Sequence, residues 1–134
     1  MGVLLFLLMV LLHIIDDFVL QPICLSKLKQ KEYWENDELG KKHLYRNDYK
    51  AALFIHGLSW SIVVHLPLIC MQFIYDYEFG IPCICIGVLL HTVFHAFIDD
   101  IKANLHEINL IQDQLLHLAQ LVSIIFLWYG IVIL

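Results

Sequence analysis

Basic residues are scarce in this chain outside one short segment. Eight of the 134 residues are Lys or Arg, and seven of them, Lys27, Lys29, Lys31, Lys41, Lys42, Arg46 and Lys50, lie between positions 27 and 50. Set against 13 acidic residues and a net charge of −5, this leaves no basic face for nucleic-acid phosphates, and nothing points to a nucleic-acid partner. No Gly/Ser/Pro-rich linker divides the chain, so residues 1–134 are expected to form a single domain. There is no nucleophile-elbow glycine pattern, no phosphate-cradling glycine loop and no zinc-ribbon cysteine spacing. The 4 cysteines say little: Cys70 could pair with Cys83 or Cys85 in an oxidising compartment, but buried thiols acting as small hydrophobes are the default. No Lys or Arg precedes the first apolar run, and Ile15-Asp16-Asp17-Phe18 lacks a small-residue cleavage site. That run therefore reads as a retained span rather than a signal peptide.

What the chain has in abundance is apolar residues. It is 60% hydrophobic and only 16% charged, with a mean hydropathy of +0.76, outside the balance of a soluble domain. The fold expected is all-α: a polytopic membrane protein, a four-helix transmembrane bundle with spans at about residues 2–20, 51–74, 81–100 and 110–133. Each is close to the ~20 residues that cross ~30 Å of hydrocarbon. The polar loop between the first two spans, with Glu32, Glu35, Asp37 and Glu38 among its bases, should be cytoplasmic by the positive-inside rule. Both termini then lie outside, and a bacterial inner membrane is the expected location. This loop reads as a solvated juxtamembrane segment with some surface helix, its Tyr33, Trp34 and Tyr45 in the headgroup layer, so membrane lipids are the first partners expected. Pro67 is a candidate kink in the second span. Ile101 to Asn109 reads as a short polar loop, with His106, like His43, solvated.

Against this background His91-Thr92-Val93-Phe94-His95-Ala96-Phe97-Ile98-Asp99-Asp100 stands out. His91, His95 and Asp99 recur every fourth residue and line one helix face. Ionisable groups on an apolar membrane helix are costly, so they usually face a protein interior or a wet cavity and have partners. The same spacing pairs His13 with Asp17 and Asp113 with His117. With antiparallel spans, His13, Asp16, Asp17, His56, His91, His95, Asp99, Asp113 and His117 fall at one depth, near the loop between the first two spans, and only His65 lies high. Imidazole and carboxylate on facing helices are the ligands from which bundles build mono- and di-metal sites. The expected metal ligands are His91, His95, Asp99, Asp113, His117 and His56, holding a divalent ion, with zinc first and manganese or iron as alternatives. His13 and Asp17 are the expected catalytic pair, completing the shell or serving as general base. Asp16 and Asp100 are weaker candidates, His65 reads as a hydrogen-bonded structural residue, and Gln21, Gln114 and Gln120 could orient ligands.

These residues also carry a resemblance. His13-x-x-Asp16-Asp17-Phe18-x-Leu20-Gln21, then His56, His91-x-x-x-His95-x-x-x-Asp99-x-x-Lys102 and Asp113-Gln114-x-x-His117 resemble, in order and spacing over nearly the whole chain, a family of small bacterial and phage membrane proteins catalogued as domain of unknown function 3307. In that pattern Asp17 rather than Asp16 is the counterpart of the aspartate before Phe18. The resemblance implies no activity; in style the chain is also similar to small membrane-bound metal-dependent hydrolases. The function expected is hydrolysis of a lipid or phosphoester at a metal site near the cytoplasmic leaflet. Two alternatives come from other classes: a proton or metal-ion transporter or channel, for which a homo-oligomer would supply the missing outer path, and a non-enzymatic membrane interaction protein.

Overall fold

The computed structural model describes residues 2–36 and 44–133. Asp37, Glu38, Lys41, Lys42 and His43 of the charged loop lie outside the described residues. Those described are helical or connecting, with no strand among them. Helix α1 (Gly2–Ile15) is followed by short helices α2 (Ile23–Leu28) and α3 (Lys31–Asn36), then by α4 (Asp48–Tyr75), α5 (Gly80–Asp100) and α6 (Leu110–Trp128). Three of the long helices run on as π-helical turns: α1 through Asp16–Leu20, α5 through Ile101–Leu105 and α6 through Tyr129–Ile133. Four helical stretches, of 19, 28, 26 and 24 residues, are thus long and apolar enough to cross a membrane.

The four long helices close into a ring, each packed on its sequence neighbours and α6 returning to α1. Helix α4 is the central member, with half of its most apolar stretch buried against 22–28% in the other three. The heptad-like spacing of Leu53, His56, Gly57, Trp60, Val64 and Leu68 on its inward side accounts for this. Glycine sets the closest approach: a Cβ on Gly57 would stand 2.7 Å from the Thr92 carbonyl and 3.3 Å from the Ala96 amide of α5. Leu5, Met9, Trp60, Val64, Leu68, Leu121, Ile124 and Trp128 form the apolar core, mostly in the half of the bundle away from α2 and α3. The outer surface is apolar too, with Val3, Phe73, Ile111 and Phe126 each more than 70% exposed. A lipid environment would satisfy such a surface, whereas water would not.

Several local expectations change. Residues 101–109 do not form a loop throughout: the helix runs to Leu105 and carries Lys102 with it. The chain turns only at His106, whose φ of 57° is left-handed, before Asn109 and Gln112 form a reciprocal capping box that starts α6. Helix α4 begins at Asp48, three residues earlier than expected, and stays helical through Pro67. The four cysteines are free, and Cys24, Cys70 and Cys85 face outward rather than into the core.

Because the atoms nearest the Gly57 position are backbone atoms, which cannot rotate away, Gly57→Val should force α4 and α5 apart. We expect it to destabilise the detergent-solubilised protein by about 1–3 kcal/mol. Gly130→Ala, with nothing within 4 Å of the added methyl, should not lower stability. Thermal unfolding of the two variants beside the parent checks both.

Candidate metal centre at the loop end of the bundle

The polar residues predicted to share one depth do converge, at the end of the bundle covered by α2 and α3. His13, Asp16, His56, His95, Asp99, Asp113 and His117 are all buried there, with Asp17 at 12% side-chain exposure. Each long helix contributes: α1 and its π turn bring His13, Asp16 and Asp17, α4 brings His56, α5 brings His95 and Asp99, and α6 brings Asp113 and His117. The π turn explains why neighbouring Asp16 and Asp17 both reach the centre. The amide of Gln21 bonds the Asp16 carbonyl five residues back at 2.9 Å, and this wider turn re-aims side chains in a way a regular α-helix does not.

His95 is the hub. Its ring stacks on both Trp60, at a centroid distance of 4.3 Å, and His117, at 4.2 Å, and these two are themselves 5.8 Å apart, while His56 meets its edge at 4.9 Å. It is fully buried, yet neither ring nitrogen has a hydrogen-bond partner among the described residues. Around it the nitrogen–oxygen separations are consistently long. His56 Nε2 lies 3.6 Å from both Asp17 Oδ1 and Asp99 Oδ2. His117 Nε2 lies 3.5 Å from Asp99 Oδ1 and 3.4 Å from Asp113 Oδ1, and His95 Nε2 lies 3.9 Å from Asp99 Oδ1. These exceed a charge-assisted hydrogen bond, normally about 2.7–2.9 Å. They resemble the spacing of atoms around a shared cation, since ligands about 2.0–2.2 Å from a tetrahedral ion stand roughly 3.3–3.6 Å apart. Two triads, Asp17/His56/His95 and His95/Asp99/His117, each offer one ligand atom per residue with all three atoms within 4.8 Å of one another.

The surrounding bonds orient this set. Lys29 Nζ donates to Asp99 Oδ2 at 2.6 Å and Lys102 Nζ to Asp113 Oδ2 at 2.6 Å, so a lysine holds one oxygen of each carboxylate while the other turns toward His117. His117 Nδ1 is 3.3 Å from Gln120 Oε1. With that nitrogen donating, Nε2 faces two carboxylate oxygens and needs either a second ring proton or a cation. Four carboxylates, Asp16, Asp17, Asp99 and Asp113, stand against two ammonium groups, those of Lys29 and Lys102. With every imidazole neutral the centre would carry an excess of two negative charges, the complement of a divalent cation, and a second proton on His117 between Asp99 and Asp113 would leave an excess of one. Uncompensated charge is expensive in such an interior.

Not every predicted residue has the same place. His13 is close by, but both its nitrogens are engaged: Trp60 Nε1 donates to Nδ1 at 2.7 Å, so the ring proton sits on Nε2 and goes to Gln114 Oε1 at 3.2 Å. Gln114 in turn donates to Asp113 Oδ2, so His13 is a brace for the centre and has no free nitrogen to act as base. His91 lies a turn away from the cluster, its Nδ1 donating to the Gly87 carbonyl at 2.7 Å and its Nε2 2.9 Å from Ser123 Oγ, and it belongs to neither triad. Asp113 touches His117 but is also outside the triads. His65 donates to the Ser61 carbonyl at 2.7 Å. Asp16, the weaker aspartate on sequence grounds, is 1% exposed, accepts from Ser59 and approaches His56 Nδ1 at 3.9 Å.

Three participants were invisible to spacing arguments. Trp60 carries no charge to flag it, Lys29 belongs to a loop that reads as solvated, and Asn104 belongs to a stretch that reads as a loop. Asn104 donates to the Lys29 carbonyl and to Asp100, and accepts from the Lys31 amide at 2.7 Å. It thereby ties the α2–α3 junction to α5 and delivers Lys29 to Asp99. A lysine in an otherwise exposed, charged loop gives no sequence signal for such a burial. Beside this tie lies a cavity of about 440 Å³ lined by Gln21, Lys29, Asp99, Lys102 and His106, which connects the centre to the loop side.

The Lys29–Asp99 pair is nearly buried, at 11% and 8% side-chain exposure. Lys29→Met should therefore destabilise the metal-free protein by about 3–5 kcal/mol. Lys31→Met, which removes an exposed 3.6 Å pair with Glu35, should change it by about 0–1 kcal/mol; thermal unfolding in detergent checks the contrast. No family model, no curated protein and no solved structure matches this chain.

Proposed function

We propose that the protein is a membrane-embedded, metal-dependent hydrolase of a lipid or phosphoester, and that its four long helices span a bilayer with the charged loop on the cytoplasmic side and both termini outside. A bacterial inner membrane and kinship with the domain of unknown function 3307 family fit this reading. The observation that supports it most is the unpartnered His95 ring among carboxylate and imidazole atoms 3.4–3.9 Å apart. His95, Asp99 and His117 would hold a divalent ion, zinc first, with manganese or iron as alternatives. His56 and Asp17 are placed to hold a second ion or the attacking water. Bound there, the cation would supply Lewis acidity and a water that is nucleophilic at neutral pH.

The chain's own groups divide the remaining work. Asp17 Oδ1 is buried and without a partner among the described residues, and is placed to accept the water's proton as that oxygen bonds the acyl carbon or phosphorus. The alcohol oxygen of the broken ester then leaves with the proton that Asp17 took from the water. Lys29 and Lys102 each hold one oxygen of Asp99 and Asp113, and the loop-side cavity, which Glu32 also lines, would be the polar route by which a substrate reaches the centre. Trp60, His13 and Gln114 keep the imidazoles and Asp113 in place.

A second reading has an observation of its own. From His117 a polar row continues through Gln120, Ser123 and His91 to His65, whose ring lies 5.6 Å from that of His91. A cavity of about 10 Å³ between those two histidines is close to the room one water needs, about 10–15 Å³. This arrangement suits proton movement more than hydrolysis.

Metal analysis of the purified protein separates the readings. About one divalent ion per chain is expected, lost in a folded His95→Ala/His117→Ala variant and kept in His91→Ala. Hydrolysis of lipid or phosphoester substrates should vanish with a chelator and return with zinc, and Asp17→Asn should slow it by about 10²–10⁴-fold. Protein that takes up no metal after reconstitution, yet carries protons across liposomes in a His91-dependent way, would replace the hydrolase reading by the transport one.

A further inference from the structure

The two triads share His95, and Asp99 stands between them. Its Oδ1 lies 3.5 Å from His117 Nε2 and 3.9 Å from His95 Nε2, within one triad. Its Oδ2 lies 3.6 Å from His56 Nε2, which is itself 3.6 Å from Asp17 Oδ1 in the other. A carboxylate with one oxygen toward each of two neighbouring cation positions is suited to bridge a metal pair, whose ions stand about 3.5–4 Å apart. Asp17 Oδ1 is also buried and without a hydrogen-bond partner among the described residues. The donors for a second ion are therefore present.

Lys29 stands against it. Its Nζ donates to Asp99 Oδ2 at 2.6 Å, so the oxygen that would bridge is already engaged by a cation. That cation cannot diffuse away, because Asn104 bonds the Lys29 carbonyl at 3.1 Å and the Lys31 amide at 2.7 Å. Helices α2 and α3 bury no residue of their own, so this tie carries much of the docking. Lys102 does not compete in the same way: it holds Asp113, which belongs to neither triad. Charge leads to the same conclusion. With neutral imidazoles, the four carboxylates are balanced by the two ammonium groups and one divalent ion. A second divalent ion would leave an uncompensated positive excess in a low-dielectric interior, where it is costly.

We infer that Lys29 is a built-in cation that fixes the centre at one divalent ion: it keeps Asp99 from bridging, so that His95, Asp99 and His117 hold the ion while Asp17 and His56 stay open to water. This rests on the metal reading above. Lys29 acts through Asp99, which makes it a positioning residue and not a ligand.

The experiment uses the full chain in detergent, stripped with a chelator and titrated with manganese. Metal per chain is counted, and electron paramagnetic resonance separates isolated ions from a coupled pair. The parent should hold about one ion with an isolated spectrum. Lys29→Met, which frees Asp99 Oδ2 and returns a negative charge to the centre, should hold about two, coupled because they share Asp99. Lys29→Arg keeps the charge and should stay at about one, and Lys29→Met/Asp17→Asn should return to one. Circular dichroism and gel filtration check folding. If Lys29→Met does not fold, Asn104→Ala decides, since it releases Lys29 with every group of the centre in place and should also admit a second ion. A coupled pair in the parent would overturn the inference. So would a single ion in the folded, freed variant, or a second ion that is uncoupled and therefore bound elsewhere. A parent that takes up no metal removes the hydrolase reading together with this one, whereas one ion in every variant removes only the part given to Lys29.

Discussion

Charge compensation in a low-dielectric interior is the constraint on which the rest of this structure depends. Four carboxylates and four imidazoles are gathered at one end of a bundle that is otherwise apolar inside and out. Outside the centre, helix packing needs little beyond Leu, Val, Ile and Trp filling space. Inside it, each carboxylate needs a positive partner or a proton. Two are supplied by lysines brought in from the loop side, and His56 faces the other two, Asp16 and Asp17, across gaps of 3.9 and 3.6 Å, too long for hydrogen bonds. The arrangement suits a missing positive charge better than a finished network of ion pairs.

The lysines link this electrostatic need to the architecture. Lys29 comes from a segment that has no buried residue of its own in α2 or α3. It reaches Asp99 because Asn104 captures the backbone at and just after it, donating to the Lys29 carbonyl and accepting from the Lys31 amide. Lys102 reaches Asp113 because α5 continues as a π turn instead of unravelling at Asp100. A second π turn, at Asp16–Leu20, turns two consecutive aspartates inward. Of the three π turns, these two lie at the end where the chemistry is concentrated, and only the third, Tyr129–Ile133, lies at the far end of α6.

Aromatic packing then sets which histidine is available. Trp60 both stacks on His95 and donates to His13. The same indole thus fixes one imidazole as a brace and holds another in position with its nitrogens unpaired. Gln120 plays a comparable double part, its side-chain oxygen against His117 and its carbonyl accepting from Ser123. Position along a helix does not separate these roles; the presence or absence of a competing hydrogen-bond donor does.

Composition and hydrophobic run length were enough to read four apolar helices and a polar loop. The i, i+4 spacing of His13/Asp17, His95/Asp99 and Asp113/His117 was enough to put polar residues on common faces, because helix periodicity is a local property. Antiparallel order also placed them at one end, since four long helices of similar length leave little choice of register. What spacing does not encode is rotation about each helix axis and the partner each side chain meets. Those were decided by the Gly57 contact between α4 and α5, by the π turns at Asp16–Leu20 and Ile101–Leu105 and by the docking of the loop through Asn104. Hence His91, in perfect sequence register with His95, is satisfied by Gly87 and Ser123, while Asp16, Trp60 and Lys29 join the centre. The physical reason is that a helix face is written every three to four residues, whereas a hydrogen bond is chosen among atoms that only the packed chain brings within 3 Å.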